Sequence, residues 1–575
     1  MPKREVFMKN IKYYKVERKI HDLREMLENT VKRFPERPAF FQKENGKYRA
    51  YTYAELYRDV NTLGGALIRR GLEGRRIIIT GENCYAWCVA YLCTVCGLGT
   101  VVPVDKEIPA EELANIAKIS GASAIFYSEK CQEKALASGK KLQKFSFAEM
   151  LDICRREDIC SEEDLRYYQE LSIDIDAMAS LIFTSGTTGV SKGVMLSQRN
   201  ICANLNNLPK LVDISENDVT LSVLPLHHVY ECTAGFLYPM SRGAAVGFSE
   251  GVRYIMKNLK EVCPTKMLCV PLLLETMYTK MWANIRKKGI EAKVRKVIAV
   301  TDAIVPEAAR MAAKRKLFAE IHESLGGKLN LIVSGGAPVD PEVLRGLRAF
   351  GFRVIQGYGL TECAPLAAVN PDRAPKDRSA GVALPEGELK IINADEEGVG
   401  EICYRGDNVM LGYYKMPEET AQIKKNGWLH TGDLGYIDED GYLIITGRKK
   451  NVIVTANGKN IFPEELEAYL SRSRYVAECV VVGYMNEKKK DYDIVALVYP
   501  DREYVREALG KEASDKEIYD RISAALEEIN ATVQSYKRMG MLIMVDEEFP
   551  KNSSRKIKRM GVADKFKDIY LAKRG

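Results

Sequence analysis

Residues Thr184 to Gly193 read TSGTTGVSKG: five hydroxyls, three glycines and one lysine in ten positions, with Val190 the one side chain suited to a core. Glycines let a backbone turn its N–H groups toward an anion. The hydroxyls add donors, and Lys192 adds a positive charge. The chemistry this composition suits is a grip on phosphate. It is not the P-loop, which needs G-x-x-x-x-G-K-[ST]; here the pattern is G-x-x-G-x-x-K-G. A plain surface turn is the alternative, but such turns rarely follow a buried strand with so many donors, and ASLIF (Ala179–Phe183) reads as that strand.

A second cluster, Cys84, Cys88, Cys93 and Cys96 in NCYAWCVAYLCTVCGLG, has one metal-like spacing but no nearby histidine. Interleaved with Ala, Val, Leu and Trp87, these thiols read as small core residues of a buried helix that turns into the strand TVVPV. Gly97, Gly99 and Pro103 break the run, which argues against a membrane span.

The elements that must position such a loop follow an α/β rhythm. Ile20, Leu23, Leu27, Val31 and Phe34 recur at helical steps, and Thr52 with Glu55 has the spacing of a capping box. The short apolar runs RRIIIT, SAIFYS, ASLIFT, KVIAVT, NLIVSG and FRVIQG then alternate with helical patterns, so largely parallel sheets are expected. Several runs end in Gly, Ser or Thr, where such sheets place ligands. From about Gly381, short strands separated by Gly and acidic turns suggest a small barrel or meander. The expected architecture is a large N-terminal domain of parallel sheets with a small β-barrel subdomain (1–447), a hinge at 448–451, and a small mobile C-terminal α+β domain (452–575).

The 575 residues exceed what one core usually serves, and 46% apolar with 28% charged residues is a globular balance. A net charge of +7 suits an anionic small ligand or a weak membrane-surface contact and does not call for nucleic acid. The polar N-terminus lacks a secretory pattern, and scattered cysteines fit reduced thiols, hence a cytoplasmic setting. A homodimer is compatible with these features but not specified by them.

LIFTSGTTGVSKGVMLS closely resembles the signature of the adenylate-forming superfamily, which includes acyl-CoA synthetases, peptide-synthetase adenylation domains and firefly-type luciferases. Further motifs follow in that family's order: LGTVVPVD, LPLHHVYE, SGGAPVD, QGYGLTE, GEICYRGDNVMLGYYKMPEET, WLHTGDLGYIDEDGYLIITGRKK, NGKNIFPEELE and KNSSRKIKR. GENCYAW, LPLHHVYE and NGKNIFPEELE most resemble the long-chain fatty acid branch. The resemblance implies a ligase that joins a medium- or long-chain fatty acid to AMP using ATP and Mg²⁺, then passes the acyl group to CoA. An acyl carrier protein in trans, or a fatty-acid-binding homologue without catalysis, are the rival implications.

The resemblance also implies roles. Thr184, Ser185, Gly186, Thr187, Thr188, Gly189 and Lys192 would hold the β- and γ-phosphates. Thr361 would meet phosphate and Glu362 the magnesium. Gly335, Gly336 and Ala337 would wall the adenine, with Tyr358 stacking on it beside Gly359. Asp433 and Arg448 would take the ribose. His228, with Gly336, would lie beside the acyl carboxylate; His227 reads equally well as structural. Lys450 would be the hinge, Lys556 the lysine of the adenylating pose, and Gly458 a lining for pantetheine. Three positions depart from the family pattern: Arg555 stands where Gly is usual, Asn552 where Thr is common, and Asn451 where Asp is frequent. The tail from Lys551 to Arg574 holds nine Lys and Arg against two Asp, a solvated face or a contact for CoA phosphates or anionic lipid.

Overall fold

The computed structural model describes residues 11–16, 18–156, 158–184, 191–457, 459–510, 512–551 and 557–574. The chain forms two compact units: Met1–Leu389 with Tyr404–Leu429 and Asp438–Leu443, and Lys390–Cys403 with His430–Ile437 and Ile444–Gly575. No helix among the described residues is long and apolar enough to cross a membrane.

The larger unit holds two sheets. In the seven-stranded sheet, the isoleucine-rich strand Arg75–Thr80 lies between Gly99–Val104 and Ala124–Tyr127, parallel to both. Ile77, Ile78 and Ile79 are wholly buried, as expected of a strand covered on both faces. Toward one edge the pairing changes sense. Met178–Thr184 runs antiparallel to Lys192–Ser197, with Thr184 opposite Lys192. The glycine-rich stretch is therefore the connection of a hairpin, and Ser185, Gly186, Thr187, Thr188 and Gly189 within it lie outside the described residues.

The nine-stranded sheet sets four neighbouring strands parallel: Val219–Ser222, Lys266–Cys269, Leu331–Ser334 and Arg353–Gly359. Their C-terminal ends share one edge, with Cys269 opposite Ser334 and Ser334 opposite Gln356. The Thr52–Glu55 capping box is present, as is the Asp340 cap with Pro341 in the first turn. The cysteine-rich run is the helix Tyr85–Cys93, a π-helical turn Thr94–Leu98 and the strand Gly99–Val104, with Cys88, Cys93 and Cys96 buried.

One expected strand is a helix. KVIAVT lies inside the helix Glu291–Ile304. Its β-branched residues suggested a strand, but they bury at helical spacing: Val294 and Thr301 are inside, Val297 and Ile298 partly so, while Val300 and Ile304 face out.

The segment after Gly381 contributes to a five-stranded sheet that includes Glu388–Ile392, Gly400–Arg405, Trp428–Ile437 and Leu443–Arg448. Within the smaller unit, Val476–Asn486 and Asp491–Pro500 form a long antiparallel pair and Met541–Met544 joins in parallel. Ile518, Ile522 and Leu526 of the helix Asp515–Thr532 belong to that unit's core with Val481, Ala496 and Leu542.

Glu231 opens a second π-helical segment, Glu231–Leu237, and is wholly buried. Gly235 makes room for it: a Cβ there would come within 2.8 Å of both carboxylate oxygens. Burial raises the Glu231 carboxyl to about 8, with the Ser222 hydroxyl working the other way. Between about pH 4.5 and 8 the folded chain holds a proton that the unfolded chain releases, so this group lowers stability as pH rises through that window. We predict that Glu231→Gln, which removes the titration, flattens the loss of Tm between pH 5 and 8.5 by several degrees in thermal unfolding. An unchanged Tm–pH slope would assign the carboxyl an ordinary pKa.

Candidate functional site

The shared strand edge of the nine-stranded sheet gathers several of the motif residues. Val219–Ser222 leads into the loop of Leu224 to His228. Asn83 holds this loop, donating to Ser222 Oγ at 2.9 Å and Leu224 O at 2.6 Å and accepting from Leu226 N at 3.0 Å. Leu331–Ser334 leads into Gly335, Gly336 and Ala337. Gly335 N donates to Cys269 O at 3.1 Å, and a Cβ at Gly335 would sit 2.8 Å from the Tyr230 ring. Gly336 has φ +90°, where glycine is favoured, and both it and Ala337 are exposed. Arg353–Gly359 carries Tyr358, whose exposure is 9%, and ends at Gly359, where a Cβ would strike Pro365 O at 1.9 Å.

Thr361 and Glu362 begin the turn that follows. Its carbonyls are held by two buried asparagines. Asn204 Nδ2 donates to Cys363 O at 3.0 Å and Ala364 O at 2.8 Å, and Asn408 Nδ2 donates to Cys363 O at 2.8 Å and Leu366 O at 2.5 Å. One turn earlier on the same helix, Asn200 Nδ2 donates to Asp407 O and Val409 O, which fixes the segment that brings Tyr413 in.

Tyr413 joins the two halves of the site. It pairs with Val194 across the strand edge beside Lys192. Its hydroxyl donates to Glu362 Oε1 at 2.7 Å, and Lys192 Nζ stands 4.8 Å from its ring centroid. Burial first, then the Glu362 charge, raises the Tyr413 phenol far above its usual range, so it stays a donor. Glu362 and Thr361 present hard oxygens, the donor type Mg²⁺ prefers. No cluster of three or more His, Cys, Asp or Glu among the described residues could hold a metal alone.

His228 is half-buried, and its ring lies 4.2 Å from that of His227. His227 is buried, and burial followed by the His228 charge lowers it to about 3, so it is neutral and unsuited to an acid–base role near neutral pH. Beyond the pair, the stretch from Val229 to Leu237 is packed shut. The cavity lined by Tyr91, Ile182, Leu196, His227, Val229 and Cys232 holds only about 10 Å³, room for one water and not for an alkyl chain.

In the smaller unit, Arg448 Nε and Asp433 Oδ1 form an ion pair at 2.9 Å. Asp433 is buried and Arg448 half-exposed. Gly432, at φ +71°, makes the bend before Asp433, and Lys449 N closes it by donating to Gly432 O at 2.9 Å. Lys450 is exposed in the following turn. Lys556 and Gly458 lie outside the described residues; Lys551 and Ile557, which flank the lysine motif, pair as an antiparallel bridge.

Sequence reasoning missed Tyr413 and the asparagines. Tyr413 stood inside a quoted motif but carried no chemical signal of its own. The asparagines do leave a trace: Asn200, Asn204 and Asn207 recur at four and three residues, one helix face.

Comparison with known proteins gives the family. The chain is 28% identical over 567 residues to long chain acyl-CoA synthetase 2 of Arabidopsis thaliana, covering 89% of this chain and 84% of that protein. It is 30% identical over 511 residues to long-chain-fatty-acid–CoA ligase 1 of Cavia porcellus, covering 80% and 71%. The crystal structure of ATP-bound MatB from Rhodopseudomonas palustris matches the fold with a TM-score of 0.74 at 23% identity, over 96% of this chain and 99% of that one. The family model of the AMP-binding enzyme C-terminal domain matches residues 450–570. The model described as AMP-binding enzyme matches residues 27–414, and the chain belongs to that family.

Proposed function

We propose that this protein is a fatty acid–CoA ligase that forms AMP, acting on medium- or long-chain acids. The observation that carries the reading is the Lys192–Tyr413–Glu362 connection, with His228 and Gly335 following the C-terminal strand ends of the nine-stranded sheet. Its relatives' names supply the acid and the acceptor.

In this reading the fatty carboxylate attacks the α-phosphorus of ATP and pyrophosphate leaves. The thiol of CoA then attacks the acyl carbon and expels AMP. A carboxylate nucleophile needs no deprotonation at neutral pH. The barrier in the first half is the approach of two anions, so placed positive charge and orientation do the catalysis. Lys192 and the hydroxyls of its loop take the β- and γ-phosphates. Glu362 and Thr361 would hold Mg²⁺, which would supply charge neutralisation at the phosphates. Tyr413 is a positioning residue: its hydroxyl fixes the rotamer of Glu362. Gly335, Gly336 and Ala337 leave a flat wall beside Tyr358 and Gly359 for adenine, Asp433 with Arg448 takes the ribose, and His228 stands by the acyl carboxylate. Lys556 bridges carboxylate and α-phosphate in the first half, Gly458 gives the pantetheine a narrow path in the second, and Lys450 is the pivot between them.

Thioester formation with CoA over a panel of carboxylic acids tests the function. We expect turnover to rise from acetate through octanoate toward palmitate, since each buried methylene contributes about 0.8 kcal/mol. Better turnover of acetate or an amino acid would overturn the substrate assignment. Lys192→Ala should slow single-turnover acyl-AMP formation by roughly 10²-fold. Tyr413→Phe should cost less, about tenfold, and raise the Mg²⁺ concentration needed for half-maximal rate; a pure stability role would leave that Mg²⁺ dependence unmoved. Lys556→Ala should block acyl-AMP formation yet still convert supplied acyl-AMP and CoA to thioester. Gly458→Leu should do the reverse, and equal loss of both steps in the two variants would refute the division.

A further inference from the structure

The turn around Lys450 is held from two sides. Arg448 and Lys449 are tied back to earlier strands: Arg448 Nε pairs with Asp433 Oδ1 at 2.9 Å, and Lys449 Nζ pairs with Glu401 Oε2 at 2.9 Å. Glu401 and Asp433 are both buried, so the two anchors are fixed in the core of their strands. Asn451 is tied forward instead. Its side-chain Nδ2 donates to Glu464 Oε1 on the helix Pro463–Leu470. The backbone closes between the two sets of tethers, with Asn451 N donating to Arg448 O at 2.9 Å, and Lys450 stands inside that turn.

The forward tether continues past Glu464. Glu467 lies three residues on along the same helix, and that spacing puts both carboxylates on one face. Arg559, just after the lysine motif, reaches both: its Nη2 pairs with Glu467 Oε1, and its Nε lies 3.9 Å from Glu464 Oε1. Arg559 Nη1 donates to Val481 O at 3.4 Å, and Val481 N donates to Glu467 Oε1 at 2.6 Å. Gly447 leaves room for the cluster, since a Cβ there would stand 3.0 Å from Glu464 Oε2. An ionised Glu464 only accepts, so the side chain at 451 has to donate. The asparagine does so, whereas the aspartate frequent at this place in the family pattern would set two carboxylates against each other. The departure at position 451 is thus matched by the glutamate facing it.

We infer that Asn451 is a positioning residue: its bond to Glu464 confines the pivot to Lys450, so that the helix Pro463–Leu470 and the segment bearing Arg559 follow the hinge turn as one piece. The inference rests on the two-step reaction proposed above. A hinge works by letting a few positions absorb the change in φ and ψ. With Arg448 and Lys449 held on one side and Asn451 on the other, that change falls on the residue between them. Without the forward tether it spreads into the residues after Asn451, and the pose reached is less defined. The bond therefore acts on reacting geometry rather than on substrate binding, because Lys192, Tyr358 and Glu362 belong to the larger unit.

The test is a double-mutant cycle in the full chain, read by steady-state thioester formation from octanoate, ATP and CoA. Asn451→Asp should lower kcat roughly tenfold, as expected when reacting groups are misplaced, with KM for ATP and octanoate within about twofold of the wild type. Glu464→Gln alone should cost less, since its amide oxygen still accepts from Asn451. Asn451→Asp/Glu464→Gln reverses donor and acceptor and should restore kcat to within about threefold of the wild type. Amide hydrogen exchange over residues 449–455 should quicken in Asn451→Asp and slow again in the double variant. An unchanged kcat in Asn451→Asp would overturn the inference, even if exchange quickened, because the bond would then be structural only. A double variant no faster than Asn451→Asp would overturn it too. A wild type that makes no thioester from any carboxylic acid would refute the proposed reaction instead, and exchange would then decide whether the Asn451–Glu464 tether exists.

Discussion

The turn that carries Glu362 is a single 3₁₀ turn, Thr361–Cys363, running into the strand Leu366–Val369, and it is too short to satisfy the carbonyls at its end with a helical ladder. Cys363, Ala364 and Leu366 are buried, and their C=O groups would each cost free energy if left unpaired. Asn204 and Asn408 answer that constraint from two directions, and both are themselves almost wholly buried. The same helix that presents Asn204 presents Asn200, which holds the carbonyls of Asp407 and Val409. One helix thus fixes both the strand exit bearing Glu362 and the segment leading to Tyr413. The hydrogen bond between those two side chains follows from that shared support, and with it the distance between the carboxylate and the Lys192 end of the hairpin.

This explains why some of the site was legible in the sequence and some was not. Gly335, Gly336, Tyr358, Thr361, Glu362 and Asp433 stand in motifs whose order along the chain matches a known family. The runs NLIVSG and FRVIQG announce the strands that end beside the first five. The supporting shell has no such signature. An asparagine repeated on one face of Gln198–Leu211 reads as a solvent face, yet nearly every residue of that helix is buried, because loops rather than water cover its polar side. Tyr413 sits in a two-residue strand, too short to show periodicity. KVIAVT misleads for a related reason: Val and Ile favour strands only where they fit a pleated surface, and packing against neighbouring helices overrides that preference.

The stretch after His228 shows the limit of composition as a guide to a cavity. Cys232, Ala234 and Gly235 are small, which suggests a channel. Space left by small side chains is filled by neighbours: the Glu231 carboxyl lies against Gly235, and the remaining void is about one water in volume. Two π-helical segments, Thr94–Leu98 and Glu231–Leu237, lie in this part of the core. Gly97, at φ +125°, kinks the first out of helical geometry, whereas the second runs on into the helix Tyr238–Ser241.

Charge is unevenly distributed along the chain. Outside residues 270–330 the chain is nearly neutral, with a net charge of +1 over the rest of its length. ATP, a fatty carboxylate and CoA are all anions, yet the chain outside those residues carries almost no net charge to gather them. Attraction there falls to single groups in fixed positions, such as Lys192 beside Tyr413. Such groups stabilise charge where it develops during reaction rather than wherever an anion happens to rest. The surplus positive charge stands instead on residues 270–330, the helical connection between the strands Lys266–Cys269 and Leu331–Ser334.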